Sequence, residues 1–173
     1  MIPSPFRYEA NFKAEDYQTL GKLSLRWSHI DHLIANCLKK MLCLSDDEAR
    51  IVVFPLNAAT RLQRIRELQK LNSLPTPAAQ HAFDELDKMM DLLRPVRNNV
   101  IHAVIMYTDG APIFELRSHG RQLTKEEVFA TEELTNYAAQ AAWVLRHELG
   151  DQDPNRAPDA LPIRPPIPAF LKK

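Results

Sequence analysis

The sequence predicts an all-α fold, a four- to five-helix bundle with a short β-hairpin before the last helix. Three observations predict it. Apolar residues recur at spacings of three and four over long stretches. Glycine is scarce, at 4 residues, while the 13 prolines gather at the two ends and at a few punctuation points. The period changes to that of strands only once, near residues 104–116.

The first helix is expected over 13–43, where Leu20, Leu23, Trp27, Ile30, Ile34, Leu38 and Met41 make one apolar face. Ser45-Asp46-Asp47-Glu48 is a capping box opening a short helix. Ile51 to Phe54 make that helix apolar, and Pro55 ends it. A third helix is expected over 58–72. In it Leu62, Ile65, Leu68 and Leu71 face inward, and Arg61, Arg64, Arg66 and Lys70 face out. Thr76-Pro77 starts a fourth helix that carries Phe83, Leu86, Met89, Met90 and Leu93 to about His102. Pro95 is expected to kink or restart it.

Val104 to Tyr107 and Ile113 to Leu116 flank Asp109-Gly110, which is a hairpin pattern. Thr124-Lys125-Glu126-Glu127 is a second capping box. The last helix is expected over 131–149, with Leu134, Ala138, Ala141, Ala142, Leu145 and Leu149 inward and Gly150 as its stop. Met89, Met90 and Trp143 read as core. The chain thus divides into an N-terminal extension (1–12), a helical domain (13–150) and a proline-rich tail (151–173). Polyproline-II stretches are expected in the tail. Its apolar residues Leu161, Ile163, Ile167, Phe170 and Leu171 leave two readings open, docking or flexibility.

The 173 residues carry 22 Lys and Arg against 22 Asp and Glu, so a polycation built for non-specific nucleic-acid binding is excluded, and a local basic patch is not. No apolar run reaches the roughly 18–20 residues of a membrane span, and no secretory signal opens the sequence. A cytoplasmic protein is expected. Cys37 and Cys43, six apart on one helix, lie about 9 Å from each other, beyond disulfide reach, and read as two small buried hydrophobes. No thiolate pair suits zinc. His29 and His32 have no companion at a recognised metal spacing, and His81, His119 and His147 read as surface residues. Neither a metal nor a cofactor is expected.

The most informative phrase is Arg94-Pro95-Val96-Arg97-Asn98-Asn99-Val100-Ile101-His102. Asn98 and His102 are i and i+4 and share a helix face. Arg97 lies five before His102, and Arg94 one turn before Asn98. Histidine moves protons near neutral pH, and arginine offers phosphate a fixed fork. Such a set suits metal-free cleavage of RNA. One histidine per chain supplies one acid or base, so two chains meeting at the motif would supply both.

Arg97-Asn98-x-x-x-His102 at the end of a long bundle helix resembles the R-x(4–6)-H signature of HEPN (higher eukaryote and prokaryote nucleotide-binding) domains. Trp27-x-x-x-Asp31 resembles the tryptophan-then-acid pattern of an uncharacterised bacterial branch, in which a glutamate is expected where Asp31 stands. The short apolar helix, the Arg-rich helix and the hairpin are similar to that branch too, and the resemblance covers about residues 15–149. It implies a bundle that dimerises about the motif and cleaves RNA without metal, as in toxin–antitoxin and defence systems. Arg97 and His102 would be the catalytic pair, Asn98 the polar companion, and Arg94 and Asp31 supporting groups. Separately from the resemblance, Arg61, Arg64, Arg66 and Lys70, against one acid at Glu67, form a basic stripe that reads as a solvated helix face or, beside a real site, as an RNA-backbone track. The implied partners are a second copy of the chain, RNA, and an antitoxin or other protein, with no membrane. Some members of the family are inactive and act as nucleotide-binding or scaffolding modules, which gives the alternative reading. Taken without the resemblance, the same residues describe a basic helix C-terminus with Asp31 as an ion-pair partner.

Overall fold

A computed structural model of the chain describes residues 13–102, 104–108, 111–115, 123–150 and 160–172. The N-terminal extension 1–12, the Asp109-Gly110 turn, His119 and the linker 151–159 lie outside the described residues, as do the side chains of 99–102 and of the first two strands.

Six α-helices are present among the described residues: α1 (Ala14–Met41), α2 (Asp46–Val52), α3 (Ala58–Leu71), α4 (Pro77–His102), α5 (Lys125–Phe129) and α6 (Glu132–Glu148). The all-α bundle expected from the periodicity is thus the observed fold. Local chemistry sets its boundaries. Ser45 accepts from the Glu48 amide while Glu48 returns a bond to the Ser45 amide, which closes the capping box of α2. Thr124 and Glu127 do the same for α5. Asn57 caps α3, and Thr76 Oγ1 accepts from the Ala79 amide to open α4. Pro95 sits inside α4, which runs on to His102 without restarting. The helix gives up one amide donor there, and its flanking turns hold it.

α1 ends in a left-handed residue, Cys43, at φ 53°. The Leu44 amide donates to Lys39 O and the Cys43 amide to Lys40 O, which is a Schellman closure. Cys43 therefore points out to solvent instead of packing, while Cys37 is buried. Burial pushes the Cys37 thiol up to about 12.

The bundle core is built by α1, α3, α4 and α6. Cys37 Sγ approaches Ala142 O at 3.9 Å, and Lys40 Nζ donates to Arg146 O at 3.2 Å, so α1 and α6 run the same way. Thr76 meets Glu148 and Glu85 meets Tyr137, so α4 runs against α6. Arg66 meets Asp87 and Gln69 meets Gln80, so α4 also runs against α3. Leu23, Trp27, Ile30, Ile34 and Leu38 of α1 are buried, as are Phe83, Leu86, Met89, Met90 and Leu93 of α4 and Leu134, Ala138, Ala141, Ala142 and Leu145 of α6. Each large aliphatic side chain in this set contributes about 1.5–3 kcal/mol.

The hairpin forms as expected from β1 (Val104–Thr108) and β2 (Ala111–Glu115). It is antiparallel, with Thr108 opposite Ala111. A two-residue β3 (Leu123–Thr124) adds to β2 and was too short to show a period in sequence.

Four side chains depart from the expected faces. Leu71, expected inward, is 79% exposed at the end of α3. Trp143, expected in the core, is exposed on α6 and stacks on His147, its i+4 neighbour, with ring centroids 3.9 Å apart. Cys43 is the third. Arg61, expected outward, is the fourth, and the functional site explains it.

The tail segment 160–172 docks on the domain. Leu171 is buried, and Leu161, Ile167 and Phe170 pack against the core. Arg164 donates to Glu85, which also accepts the Tyr137 hydroxyl. Of the two readings left open, docking holds for these residues, although Ile163 stays exposed.

Candidate functional site

α3 and the C-terminal half of α4 enclose an open cleft of about 430 Å³. Gln63 and Arg66 line it from α3, and Asp91, Arg94, Arg97 and Asn98 line it from α4. Small residues at the start of α3, Ala58 and Ala59, leave the room for it. The motif arginine, its asparagine and a second arginine therefore do share one surface. His102 is the last residue of α4, about 6 Å further along the axis than Asn98. Its side chain lies outside the described residues, so the expected approach of Arg97 to His102 lies there too.

Each arginine of the cleft is matched by a carboxylate. Arg66 makes a forked pair with Asp87, through Nε at 2.8 Å and Nη2 at 2.5 Å, and its Nη2 also lies 3.6 Å from Asp91. The bond to Asp87 holds the Arg66 guanidinium more firmly charged than usual. Arg94 pairs with Asp91 at 2.5 Å. Arg97 reaches across to α1 and pairs with Asp31 at 3.2 Å, the ion pair expected for that aspartate. The cleft is a charge-matched network rather than a bare cationic pocket.

The Arg97–Asp31 pair is only half made. Asp31 Oδ1 and Arg97 Nε are buried with no hydrogen-bond partner among the described residues. The same holds for Nε1 of Trp27, one helical turn before Asp31. Each such atom costs on the order of 1–3 kcal/mol while it stays unmatched. Arg97 meets Asp31 through one contact, so an incoming anion competes with a single bond rather than a full fork.

Arg61 and Arg64 do not join the cleft. Arg61 is 9% exposed, and its guanidinium donates to three backbone carbonyls: Val53 at 3.2 Å, Phe54 at 2.8 Å and Asp31 at 3.2 Å. The Val53 and Phe54 carbonyls at the end of α2 thus accept from a buried cation, and Val53 O accepts from the Leu56 amide as well. Arg61 is therefore a clamp between α2 and α1, which corrects its assignment to an outward track. Arg64 pairs with Glu67 at 2.7 Å and faces a separate apolar groove beside Leu68 and Leu71.

Of the four-residue basic stripe on α3, Arg66 is the member that lines the cleft, with Asp87 and Asp91 as its counter-ions. The signal was present: Ala59, Leu62, Gln63 and Arg66 follow the three-and-four spacing of one face. His29 and His32 are exposed on α1, and no group of three metal-binding side chains occurs among the described residues.

No described helix is long and apolar enough to cross a membrane. Comparison of the chain with protein-family models, with curated proteins and with solved structures gives no match.

Proposed function

We propose that this chain is a HEPN-like, metal-independent endoribonuclease of the toxin or defence type, acting as a homodimer. The observation that carries the reading is the shared cleft. Arg94, Arg97 and Asn98 line one open surface that leads toward the end of α4, where His102 stands.

In the proposed reaction a ribose 2′-hydroxyl oxygen attacks the adjacent phosphorus and the bond to the 5′-oxygen breaks. The products are a 2′,3′-cyclic phosphate and a 5′-hydroxyl. His102 of one protomer takes the 2′-hydroxyl proton, and the equivalent histidine of a second copy gives a proton to the leaving oxygen. Arg97 binds the phosphate and stabilises the charge that develops on it, with Arg94 assisting. Asn98 orients the site. Phosphate competes with Asp31 for Arg97, and the single 3.2 Å contact makes that exchange inexpensive.

A specific observation favours a second reading, a non-catalytic module that binds a protein or nucleotide. The cleft arginines are already matched to Asp31, Asp87 and Asp91. A surface whose charges are internally balanced suits a scaffold as well as an enzyme.

The test is incubation of a mixed RNA pool with the protein in EDTA. The wild type is expected to cleave, and His102→Ala to lose cleavage by at least about a hundredfold while keeping its melting temperature. Cleavage at the wild-type rate by the variant would sink the assignment. A folded, dimeric wild type that leaves the pool intact favours the module.

A further inference from the structure

The outer face of α1 differs in kind from the cleft. Lys22, Arg26, His29 and His32 are all exposed along it, interleaved with Ser24 and Ser28 and with Leu25, which is 74% exposed. Between Tyr17 and His32 the only acid is Asp31, and that carboxylate is turned inward to Arg97. Lys22 and Arg26 make no ion pair among the described residues. They border, with Leu25 and His29, a shallow concavity of about 300 Å³. By contrast Arg64, Arg66, Arg94 and Arg97 all have carboxylate partners, and Arg61 is used up by carbonyls.

We propose that this face of α1 is a binding surface for the phosphate backbone of single-stranded RNA, outside the cleft. The identity of the ligand rests on the ribonuclease reading, whereas the charge pattern stands without it. Lys22 and Arg26 are one turn apart, so their charges repeat about every 6 Å along the helix. Unpaired cations release counterions from a polyanion without first breaking a salt bridge, which the cleft arginines cannot do. Leu25, beside them in the same concavity, offers apolar contact to ribose or base. Gly21 has open space where a side chain would stand, which keeps the approach to Lys22 clear.

The experiment is fluorescence anisotropy of a labelled single-stranded RNA in EDTA, with every protein carrying His102→Ala so that cleavage does not interfere. Adding Lys22→Glu with Arg26→Glu is expected to weaken binding roughly tenfold at low salt. It should also reduce the slope of log affinity against log salt by about 1.4, from about 0.7 per phosphate contact on a single strand. The pair Lys22→Gln with Arg26→Gln adds no new repulsion on the helix and is expected to weaken binding in the same direction by less. Affinity within twofold of the parent for both pairs, with melting temperatures unchanged, overturns the proposal. Competition by polyglutamate as strong as by unlabelled RNA also overturns it, in favour of an acidic protein partner. Because cleavage is not read, an inactive cleft leaves this result intact, and loss of this binding leaves the cleavage test to stand alone.

Discussion

The cleft between α3 and α4 and the outer face of α1 are both basic in sequence, yet they carry charge differently. In the cleft, Arg66, Arg94 and Arg97 face Asp87, Asp91 and Asp31, three cations against three carboxylates. On α1, Lys22 and Arg26 stand without acid partners among the described residues. The difference arises from long-range geometry. Asp31 and Asp87 lie far along the chain from the arginines they hold, so a local count of charge does not reveal which cations are free. Matched arginines are held in place and suit chemistry at a fixed point. Unmatched ones suit loose capture of a polyanion.

The sharpest way to break this comparison is inside α3, where arginines three apart have opposite fates. Arg61→Ala removes a buried guanidinium that donates to the Val53, Phe54 and Asp31 carbonyls and is expected to cost about 3–5 kcal/mol by urea denaturation. Arg64→Ala removes an exposed i,i+3 pair and is expected to stay within about 0.5 kcal/mol. Equal losses would mean that Arg61 is not the clamp described.

A smaller effect separates the two basic regions directly. Arg97→Ala strands a partly buried Asp31 and is expected to cost about 1–2 kcal/mol, whereas Arg26→Ala on the outer face should change stability by less than about 0.5 kcal/mol. Paired urea midpoints check this. A neutral Arg97→Ala would show that the ion pair holds nothing.

The last effect shows only at high pH and concerns the Tyr137–Glu85 contact between α6 and α4. Burial, and then the hydrogen bond to Glu85, push the Tyr137 hydroxyl up to about 12 from an ordinary 10.0. The folded state therefore holds this proton more tightly than the unfolded chain does. The resulting stability is complete below pH 10 and is lost as the pH rises from 10 toward 12. Urea midpoints across that window should fall more steeply for the wild type than for Tyr137→Phe. Parallel curves would contradict the linkage.

Most of the fold was legible because it rests on local signals. The apolar stripe of α1, the Ser45–Glu48 box, the Thr76 cap and the two-residue hairpin connection each need only a few neighbouring residues. The failures share a cause of the opposite kind. Arg61 turns inward because α2 ends beside it and offers carbonyls to its guanidinium, which α3 alone does not disclose. Cys43 turns outward because the helix end needs a left-handed residue there. Trp143 finds a partner in His147 rather than in the core. For the site, the spacing of Arg94, Arg97 and Asn98 on one helix was enough to bring them to one surface. Which arginine of the α3 stripe reaches the cleft was not legible, because that depends on Asp87 and Asp91 of another helix.

The central claim, that the end of α4 performs metal-free RNA cleavage, is tested most directly by the chemistry of the product ends. RNA cut in EDTA by the wild type is expected to carry 2′,3′-cyclic phosphates and 5′-hydroxyls, with neither end produced by His102→Ala. Products ending in 5′-phosphates, or cyclic ends produced equally by the variant, would contradict it.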